Sequence, residues 1–399
     1  MFRRLRPSTF FVALLMCATG CGSNGSQQTT TTQPTNAQPS FIYTAVNTAP
    51  IGSAFNVQLD AFEFDATTNK LSLNSSVPLG SQVVSGIALD PTGKYLYTSA
   101  PGSAASFIQR YSIDSATGAL QSAGSFNLTQ ICAFCQPISG PGSLAFAGTG
   151  NFLYYGSSSG GAVTQVVGAL AVDSTGSLSQ VPGAPFPADQ TPFLLAVHPA
   201  GKFVLTENMN GPGAGGFPLT SISVFVADPN TGALTKAAGS PFSTPANADV
   251  VGLAMHPSGS FVYASTGLAA NGVLGWALDQ TTGALQSLNS SPFLPGAATF
   301  GGTFDPTGKF FYASAGAVGG LYGLSVDPNT GALTQMANSP FAQGTVLIGP
   351  VVDHSGKYLF AVDTMNKALV SFSIDNTGNL TAVGSPAAMS GIPVALTVR

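Results

Sequence analysis

The sequence is poor in charged residues. Of its 399 residues, 12 are Lys or Arg and 16 are Asp or Glu, which gives a net charge of −4. A protein that binds nucleic acid needs clustered cations to replace the counterions of the phosphates, and this chain has no basic stripe. The composition therefore excludes nucleic acid as a partner.

Residues that favour helices are also scarce. Few positions are Glu, Lys or Arg, whereas 48 are Gly and 28 are Pro. Such a composition predicts many short strands joined by tight turns. A long apolar run is missing too, since the apolar stretch at residues 10–16 is too short to span a bilayer as a helix.

Residues 1–20 have the features of an export signal. Three Arg residues among the first six precede the short apolar stretch, and Ala-Thr-Gly leads into Cys21. These last residues resemble a bacterial lipobox, which implies cleavage before Cys21 and lipidation of its thiol; an ordinary signal peptide with a chance cysteine is the alternative. We expect an exported lipoprotein of the bacterial cell envelope, anchored in the outer membrane because Gly22 rather than Asp follows Cys21.

The segment after the signal is polar and has no periodic apolar residues. Residues 21–40 consist mainly of Ser, Thr, Gln, Asn and Pro, which predicts a flexible tether. Beyond it, Cys132 and Cys135 form a CxxC pair in a chain that is expected to be exported. An oxidising compartment favours a local disulfide between them. A zinc site would need two further ligands, and a thioredoxin-like role would need a helix after the pair.

A turn motif with a leading Asp, a Thr or Asn, usually a Gly, and a closing Leu recurs along the chain. Asp accepts hydrogen bonds from backbone amides two or three residues on, and Gly or Asn adopts the positive φ of a hairpin turn. Seven copies are found, at residues 65–71, 114–120, 173–178, 228–234, 279–285, 327–333 and 375–380.

A second turn, with a Gly at its fourth position, lies between these copies. It occurs six times, at residues 90–97, 147–154, 198–205, 256–263, 305–312 and 353–360. The chain begins with the strand that should follow a seventh copy, at residues 41–45, and ends with the strand that should precede it, at residues 392–398. We therefore predict an all-β, seven-bladed β-propeller over residues 41–399, with four-stranded blades and closure by pairing of the N-terminal and C-terminal strands in one blade.

Strand 3 of each predicted blade carries a large residue three positions before its Asp. Trp276, the single Trp, is one of these residues and is therefore predicted to lie in the core between blades. The full set is Phe62, Tyr111, Leu170, Phe225, Trp276, Leu324 and Phe372.

The paired turns carry a family resemblance. The sequences Asp-Pro-Thr-Gly-Lys-Tyr-Leu-Tyr at 90–97 and Asp-Pro-Asn-Thr-Gly-Ala-Leu-Thr at 228–235, with a Ser-Pro-Phe that follows, resemble the lactonase-like β-propellers. That group contains 6-phosphogluconolactonases and surface YVTN-repeat proteins, so the resemblance implies the propeller fold over about residues 41–399 and leaves the activity open.

The repeats account for most ionisable residues, and a few acids remain. His198 and His256 occupy the place of Asp in the second turn, which predicts that they cap turns. Asp60 and Glu63 lie on or near a strand 3 and are expected to be solvated. The other acids should meet at one end of the propeller, because Asp189 and Asp249 precede a strand 1 whereas Glu207 and Asp363 follow a strand 2.

The predicted ligand-binding residues at this end are Asp189, Glu207, Asn208, Asp249 and Asp363. An acidic, amide-rich rim around the axial channel suits a divalent cation such as calcium or a neutral polyhydroxylated ligand. Solvated loop acids without a ligand are the alternative. No cofactor is required by the sequence, and no catalytic residue or metal site is assigned from it.

Two functions fit these residues. The first is a surface protein that binds a glycan, a small neutral ligand or an envelope protein while it is attached to the membrane through Cys21. The alternative is a lactonase-type hydrolase that opens a lactone ring, with Glu207, Asp249 or Asp363 as base or metal ligand. Enzymes of the resembled family act on anionic lactones and need converging Arg or Lys, which are rare here. A binding protein is therefore the expected function, with the lactonase-type hydrolase as the alternative.

Overall fold

The computed structural model describes residues 39–49, 56–100, 106–131, 136–137, 144–148, 150–158, 165–212, 218–245, 248–268, 270–315 and 319–399. These residues form seven antiparallel sheets, one for each predicted blade. The predicted signal, most of the tether, Cys21, Cys132 and Cys135 lie outside the described residues. None of the helical structure in the described part has the length and apolar character needed to cross a bilayer.

We number the blades along the chain. Blade 1 contains β1 (Ser40–Asn47), β2 (Val57–Asp65) and β3 (Lys70–Gly80), and blade 2 contains β4 (Gly86–Leu89), β5 (Tyr95–Ala100), β6 (Phe107–Ile113) and β7 (Leu120–Asn127) before the 3-10 helix Leu128–Gln130. Blade 3 contains β8 (Gln136–Pro137), β9 (Leu144–Phe146), β10 (Phe152–Ser158), β11 (Val166–Val172), β12 (Leu178–Gln180) and β13 (Phe186–Pro187).

Blades 4 to 7 repeat the same order. Blade 4 contains β14 (Thr191–Val197), β15 (Phe203–Pro212), β16 (Pro218–Ala227), β17 (Leu234–Lys236) and β18 (Phe242–Ser243). Blade 5 contains β19 (Val250–Met255), β20 (Phe261–Thr266), β21 (Val273–Leu278) and β22 (Leu285–Ser287). Blade 6 contains β23 (Thr299–Phe304), β24 (Phe310–Ala315), β25 (Leu321–Val326) and β26 (Leu333–Gln335). Blade 7 contains β27 (Leu347–Val352), β28 (Tyr358–Asp363), β29 (Ala368–Ile374) and β30 (Leu380–Ala388), after which β31 (Ile392–Val398) returns to blade 1.

The two ends of the chain close the ring. β31 pairs antiparallel with β1, with Ile42 opposite Val398 and Tyr43 opposite Thr397, and the backbone N–H of Arg399 donates to the carbonyl of Phe41 at 2.8 Å. The innermost strands β31, β4, β9, β14, β19, β23 and β27 each contact the next one around the axis. The predicted seven-bladed propeller with closure in a shared blade is confirmed.

The repeated turns have the predicted geometry. In blade 4 the Asp228 carboxylate accepts the backbone N–H groups of Asn230 and Thr231 at 2.8 and 3.0 Å, and Gly232 has φ +73°. These hydrogen bonds stabilise the ionised form and lower the pKa of Asp228. His198 and His256 cap their turns as predicted, since Nδ1 of each ring accepts the N–H two residues on, at 3.0 and 3.1 Å.

Apolar residues of the middle strands fill the spaces between blades. The large strand 3 residues predicted as core are all buried, and Trp276 packs between blades 4 and 5. Tyrosines of strand 2 also join neighbouring blades, because the hydroxyl of Tyr263 donates to the carbonyl of Gly331 in the next blade at 2.6 Å. Tyr97, Tyr154 and Tyr312 make the same kind of bond to Gly176, Gly232 and Gly378.

Candidate functional site

The candidate acids lie at one end of the propeller, as predicted. Asp249 comes directly before β19, the innermost strand of blade 5, and Asp363 is the last residue of β28 in blade 7. One detail of the prediction is wrong, because Glu207 lies within β15 and not after it. β15 and β16 continue as a long hairpin beyond Met209, which pairs with Thr220, so the position of Glu207 is a paired strand position.

The alternation of β15 directs the Glu207 side chain toward blade 5. Phe203 and Leu205 belong to the core between blades 4 and 5, whereas Val204 belongs to the core between blades 3 and 4. Side chains two residues apart on a strand share a face, so Glu207 faces the same way as Phe203 and Leu205. Ala248 and Val250, which flank Asp249, are part of that same core.

Glu207 is enclosed by apolar residues. Its direct neighbours on the adjacent strands are Leu194 and Ile222, both buried. The Glu207 side chain is 1% exposed, and neither carboxyl oxygen has a hydrogen-bond partner among the described residues. A buried carboxylate without a partner is costly, so the group takes up a proton instead. Burial, and then the negative charge of Asp249, raise the pKa of Glu207 well above the usual value of 4.5.

Asp249 is the second carboxyl of this pair. It is half-buried and has φ +45°, the left-handed region that Asp tolerates better than most residues. Gly267 leaves space for its carboxyl group, since a Cβ at Gly267 would lie 2.6 Å from the Asp249 Oδ2 atom. Burial raises the pKa of Asp249 as well, and more weakly than that of Glu207, because Asp249 keeps contact with solvent.

The other three predicted ligand residues are engaged by the fold. The Asp189 carboxylate accepts Nζ of Lys236 at 2.7 Å. The Asn208 amide donates to the hydroxyls of Ser223 and Ser221 at 2.8 and 3.1 Å and accepts the Thr206 hydroxyl at 2.9 Å.

Asp363 caps its own turn. Its carboxylate accepts Nδ2 of Asn366 at 2.7 Å and the N–H of Met365 at 3.0 Å. Of the five predicted residues, Glu207 and Asp249 are therefore the two whose carboxyl groups interact electrostatically and are not used by local structure in the described part of the chain.

Asp60 differs from the sequence expectation. It was expected to be solvated, but its side chain is fully buried on β2. The carboxylate accepts Nε2 of Gln58 at 2.7 Å and the hydroxyls of Ser390 at 2.9 Å and of Ser76. Ser390 precedes β31, and a single sequence position gives no sign of this contact from the other end of the chain.

The described residues offer little else for a ligand. No three His, Cys, Asp or Glu side chains among them converge closely enough to hold a metal ion. A groove of about 410 Å³ lies elsewhere, lined by residues of blades 5 and 6 between Ala277 and Ala332, and it has no ionisable lining residue. Glu207 and Asp249 supply two carboxyl groups for a cation, and calcium binding at this place stays a prediction.

The two carboxyls differ in how firmly they hold a proton. Burial raises the pKa of both groups, and the charge of Asp249 raises that of the buried Glu207 further, so Glu207 keeps its proton to a higher pH than Asp249 does. A neutral carboxylic acid beside a carboxylate provides a proton donor and a proton acceptor at one point. No cation lowers the pKa of either group in the described part of the chain.

The raised pKa of Glu207 predicts a pH dependence of stability. Below about pH 4.5 the group is protonated in both the folded and the unfolded chain. As the pH rises toward the folded-state pKa, the unfolded chain releases the proton first, so wild type loses stability by about 1.4 kcal/mol per pH unit relative to Glu207→Gln. Urea unfolding of both proteins at pH 5, 6, 7 and 8 measures this divergence, and curves that run parallel would contradict the buried, neutral Glu207.

Comparisons with known proteins agree with the fold. The family model described as Lactonase, 7-bladed beta-propeller matches residues 125–398, which is more than half of the chain. A candidate 6-phosphogluconolactonase from Bacteroides uniformis ATCC 8492 is 18% identical, with a TM-score of 0.67 over 91% of this chain and 100% of that one. The periplasmic gluconolactonase PpgL of Pseudomonas aeruginosa is 16% identical, with a TM-score of 0.66 over 90% of this chain and 99% of that one.

The search of curated proteins found no match. At identities this low, the solved structures show a shared fold alone, and the family model shows common descent. Together with the closed ring of seven four-stranded blades, the matched residues lead to one conclusion: the chain belongs to the lactonase family of seven-bladed β-propellers.

Proposed function

We propose that this protein hydrolyses an uncharged lactone, with Glu207 as the proton donor and Asp249 as the base. The observation that carries the proposal is the Glu207 carboxyl, which is buried without a hydrogen-bond partner in the described residues and lies within the electrostatic reach of Asp249. A buried carboxyl without a partner does not stabilise the fold, whereas an acid and base pair needs a carboxyl that keeps its proton.

The chemistry is that of ester hydrolysis within a ring. The Asp249 carboxylate takes a proton from water as the water oxygen bonds to the lactone carbonyl carbon. The bond from that carbon to the ring oxygen then breaks, and Glu207 gives its proton to the leaving oxygen. The product is an open-chain hydroxy acid, and one proton passes from Asp249 back to Glu207 through solvent before the next turnover.

Among the described residues, no Arg or Lys acts on the pKa of Glu207 or Asp249, which favours an uncharged substrate. Phosphate and carboxylate groups are usually held by Arg or Lys. Arg110 is bonded to the carbonyl of Thr175 and the hydroxyl of Ser177 at 2.9 and 2.8 Å, and Lys236 is paired with Asp189. Two similar structures add support for a lactone substrate, since they are named as a candidate 6-phosphogluconolactonase and a periplasmic gluconolactonase. The second name supports an uncharged lactone.

The activity is tested with a lactone panel. Purified full-length protein is mixed with D-glucono-δ-lactone, δ-valerolactone or 6-phosphoglucono-δ-lactone, and acid release is followed with a pH indicator against the spontaneous rate. We expect hydrolysis of an uncharged lactone and at least about tenfold slower hydrolysis of the phosphorylated one. Parallel reactions with EDTA and with calcium test the cation expectation. Saturable glycan binding without any turnover would instead favour the binding protein that the sequence suggested.

We place this activity in the cell envelope. The basic start, the apolar stretch and the residues before Cys21 support export and lipid attachment. One similar structure is a periplasmic enzyme. The activity should sediment with membranes in wild-type cells and become soluble in Cys21→Ser; soluble activity in both would contradict the anchor.

A further inference from the structure

β-bulges interrupt the innermost strands close to Glu207 and Asp249. In blade 4 the register with strand 2 shifts between Pro192 and Leu194, and in blade 5 it shifts between Val250 and Gly252. A bulge leaves one residue unpaired and changes the direction of its side chain. Phe193 and Val251 are the residues left unpaired in these two blades.

Blades 6 and 7 also have a register shift in the innermost strand. In blade 6 it lies between Thr299 and Gly302 and includes Phe300, whereas in blade 7 it follows Ile348, which is itself paired with Val362. Phe193, Val251, Phe300 and Ile348 each stand five residues before the first residue of the following turn, so they lie at one level around the axis. All four side chains are half-buried, and those of Phe193, Val251 and Ile348 pack in part against the cores between blades. We call these four residues the apolar crescent.

Two residues of the apolar crescent are close to the two carboxyls along the chain. Phe193 adjoins Leu194, which is paired with Glu207, and Val251 is two residues after Asp249. Two exposed methionines occur at the same end of the propeller, Met209 at 40% and Met365 at 63% exposed. Methionine side chains adapt to apolar ligands of irregular shape. Apolar surface that stays open beside a polar pair suits a ligand with a polar head and an apolar tail.

We propose that the substrate is a lactone with an alkyl chain, whose ring lies at Glu207 and Asp249 and whose chain lies on the apolar crescent. This inference rests on the proposed function for the identity of the ring. A polyhydroxylated sugar lactone would leave its hydroxyl groups against Phe193 and Phe300 without partners, which lowers its affinity. The alkyl chain buries apolar surface there instead.

The first test compares lactones that differ only in the chain. δ-Decalactone carries a pentyl group on the same ring as δ-valerolactone, and we expect its kcat/KM to be about tenfold higher or more, because each buried methylene group adds binding energy. In the double variant Phe193→Ala/Phe300→Ala, the ratio of kcat/KM for δ-decalactone to kcat/KM for δ-valerolactone should fall toward one. Leu73→Ala, at an exposed apolar residue of β3 in blade 1, is the matched control and should keep the wild-type ratio. Equal kcat/KM values in wild type, or a preference for D-glucono-δ-lactone, would overturn the inference.

A second test does not depend on turnover. The lactams 6-pentylpiperidin-2-one and piperidin-2-one replace the ring oxygen by N–H, and their binding to wild type is measured by calorimetry. We expect about tenfold tighter binding of the pentyl lactam, with the preference reduced in the double variant. Equal affinities would overturn the inference even if lactones are hydrolysed. A preference for the pentyl lactam with no lactone hydrolysis would refute the proposed function alone and leave the alkyl site established.

Discussion

Glu207→Gln is expected to lower kcat/KM for lactone hydrolysis by about 10²- to 10⁴-fold, the range that a positioned general acid contributes. Glutamine keeps the shape of the side chain between Leu194 and Ile222 but has no proton to transfer to the leaving oxygen. The measurement is acid release from an uncharged lactone over pH 5 to 9. Wild-type rates should rise with pH as Asp249 ionises and fall as Glu207 loses its proton, whereas the falling limb should be absent in the variant.

The control for this prediction is a carboxylate at the same end of the propeller. Asp363 uses its oxygens for its own turn, and Asn can accept the same N–H groups. Asp363→Asn should therefore retain the wild-type rate within about twofold. Glu207→Gln should also be at least as stable as wild type at neutral pH, so a lost rate would not reflect unfolding. A rate for Glu207→Gln within threefold of wild type would exclude Glu207 as the proton donor.

Removal of residues 392–399 is expected to abolish cooperative folding. β31 supplies the innermost strand of blade 1, and its residues Ala395, Leu396 and Val398 are buried in the core that joins blades 7, 1 and 2. Each larger apolar side chain lost is worth roughly 1.5–3 kcal/mol, while a typical domain has a net stability of only about 5–15 kcal/mol. The deletion also exposes the edge of β1, which invites aggregation.

Thermal unfolding followed by circular dichroism tests this prediction. The matched control removes the other end of the chain up to residue 38, which precedes β1 and contributes nothing to the described sheets. That protein should melt as the full chain does. A C-terminal deletion that melts cooperatively within a few degrees of the full chain would show that the ring is stable without its closing strand.

One side chain favours hydrolysis over binding as the function. From the sequence, Glu207 was one of several acids at a loop-rich end, and such acids are usually solvated. In the structure Glu207 is a buried strand residue, and its carboxyl group has no hydrogen-bond partner in the described part of the chain. Asp189, Asn208 and Asp363 are instead bonded to neighbouring side chains. A buried carboxyl group without a hydrogen-bond partner is costly, so its presence indicates a functional role, which solvated surface acids do not.

Glu207 stands out in the sequence when equivalent positions of the repeats are compared. The positions that correspond to Glu207 in the other blades are small or apolar: Ala45, Ser99, Gly156, Ser265, Ser314 and Val362. A single Glu among them departs from the rule that the repeat sets for this site. The apolar crescent has a constant position before each turn in the sequence, but that Phe193 and Val251 are left unpaired at β-bulges follows only from how the strands pair.

The number of blades, the order of strands and the closure follow from the sequence alone, because each depends on local turn chemistry and on a period that repeats. Asp228 and Gly232 dictate their turn with atoms a few residues apart, and residues 41–45 and 392–398 complete a motif that is counted along the chain. The burial of Asp60 against Ser390 and the effect of Asp249 on the pKa of Glu207 come from the packing of the blades. Burial and charge interactions depend on distances between residues that are remote in sequence, and those distances exist only once the blades have packed.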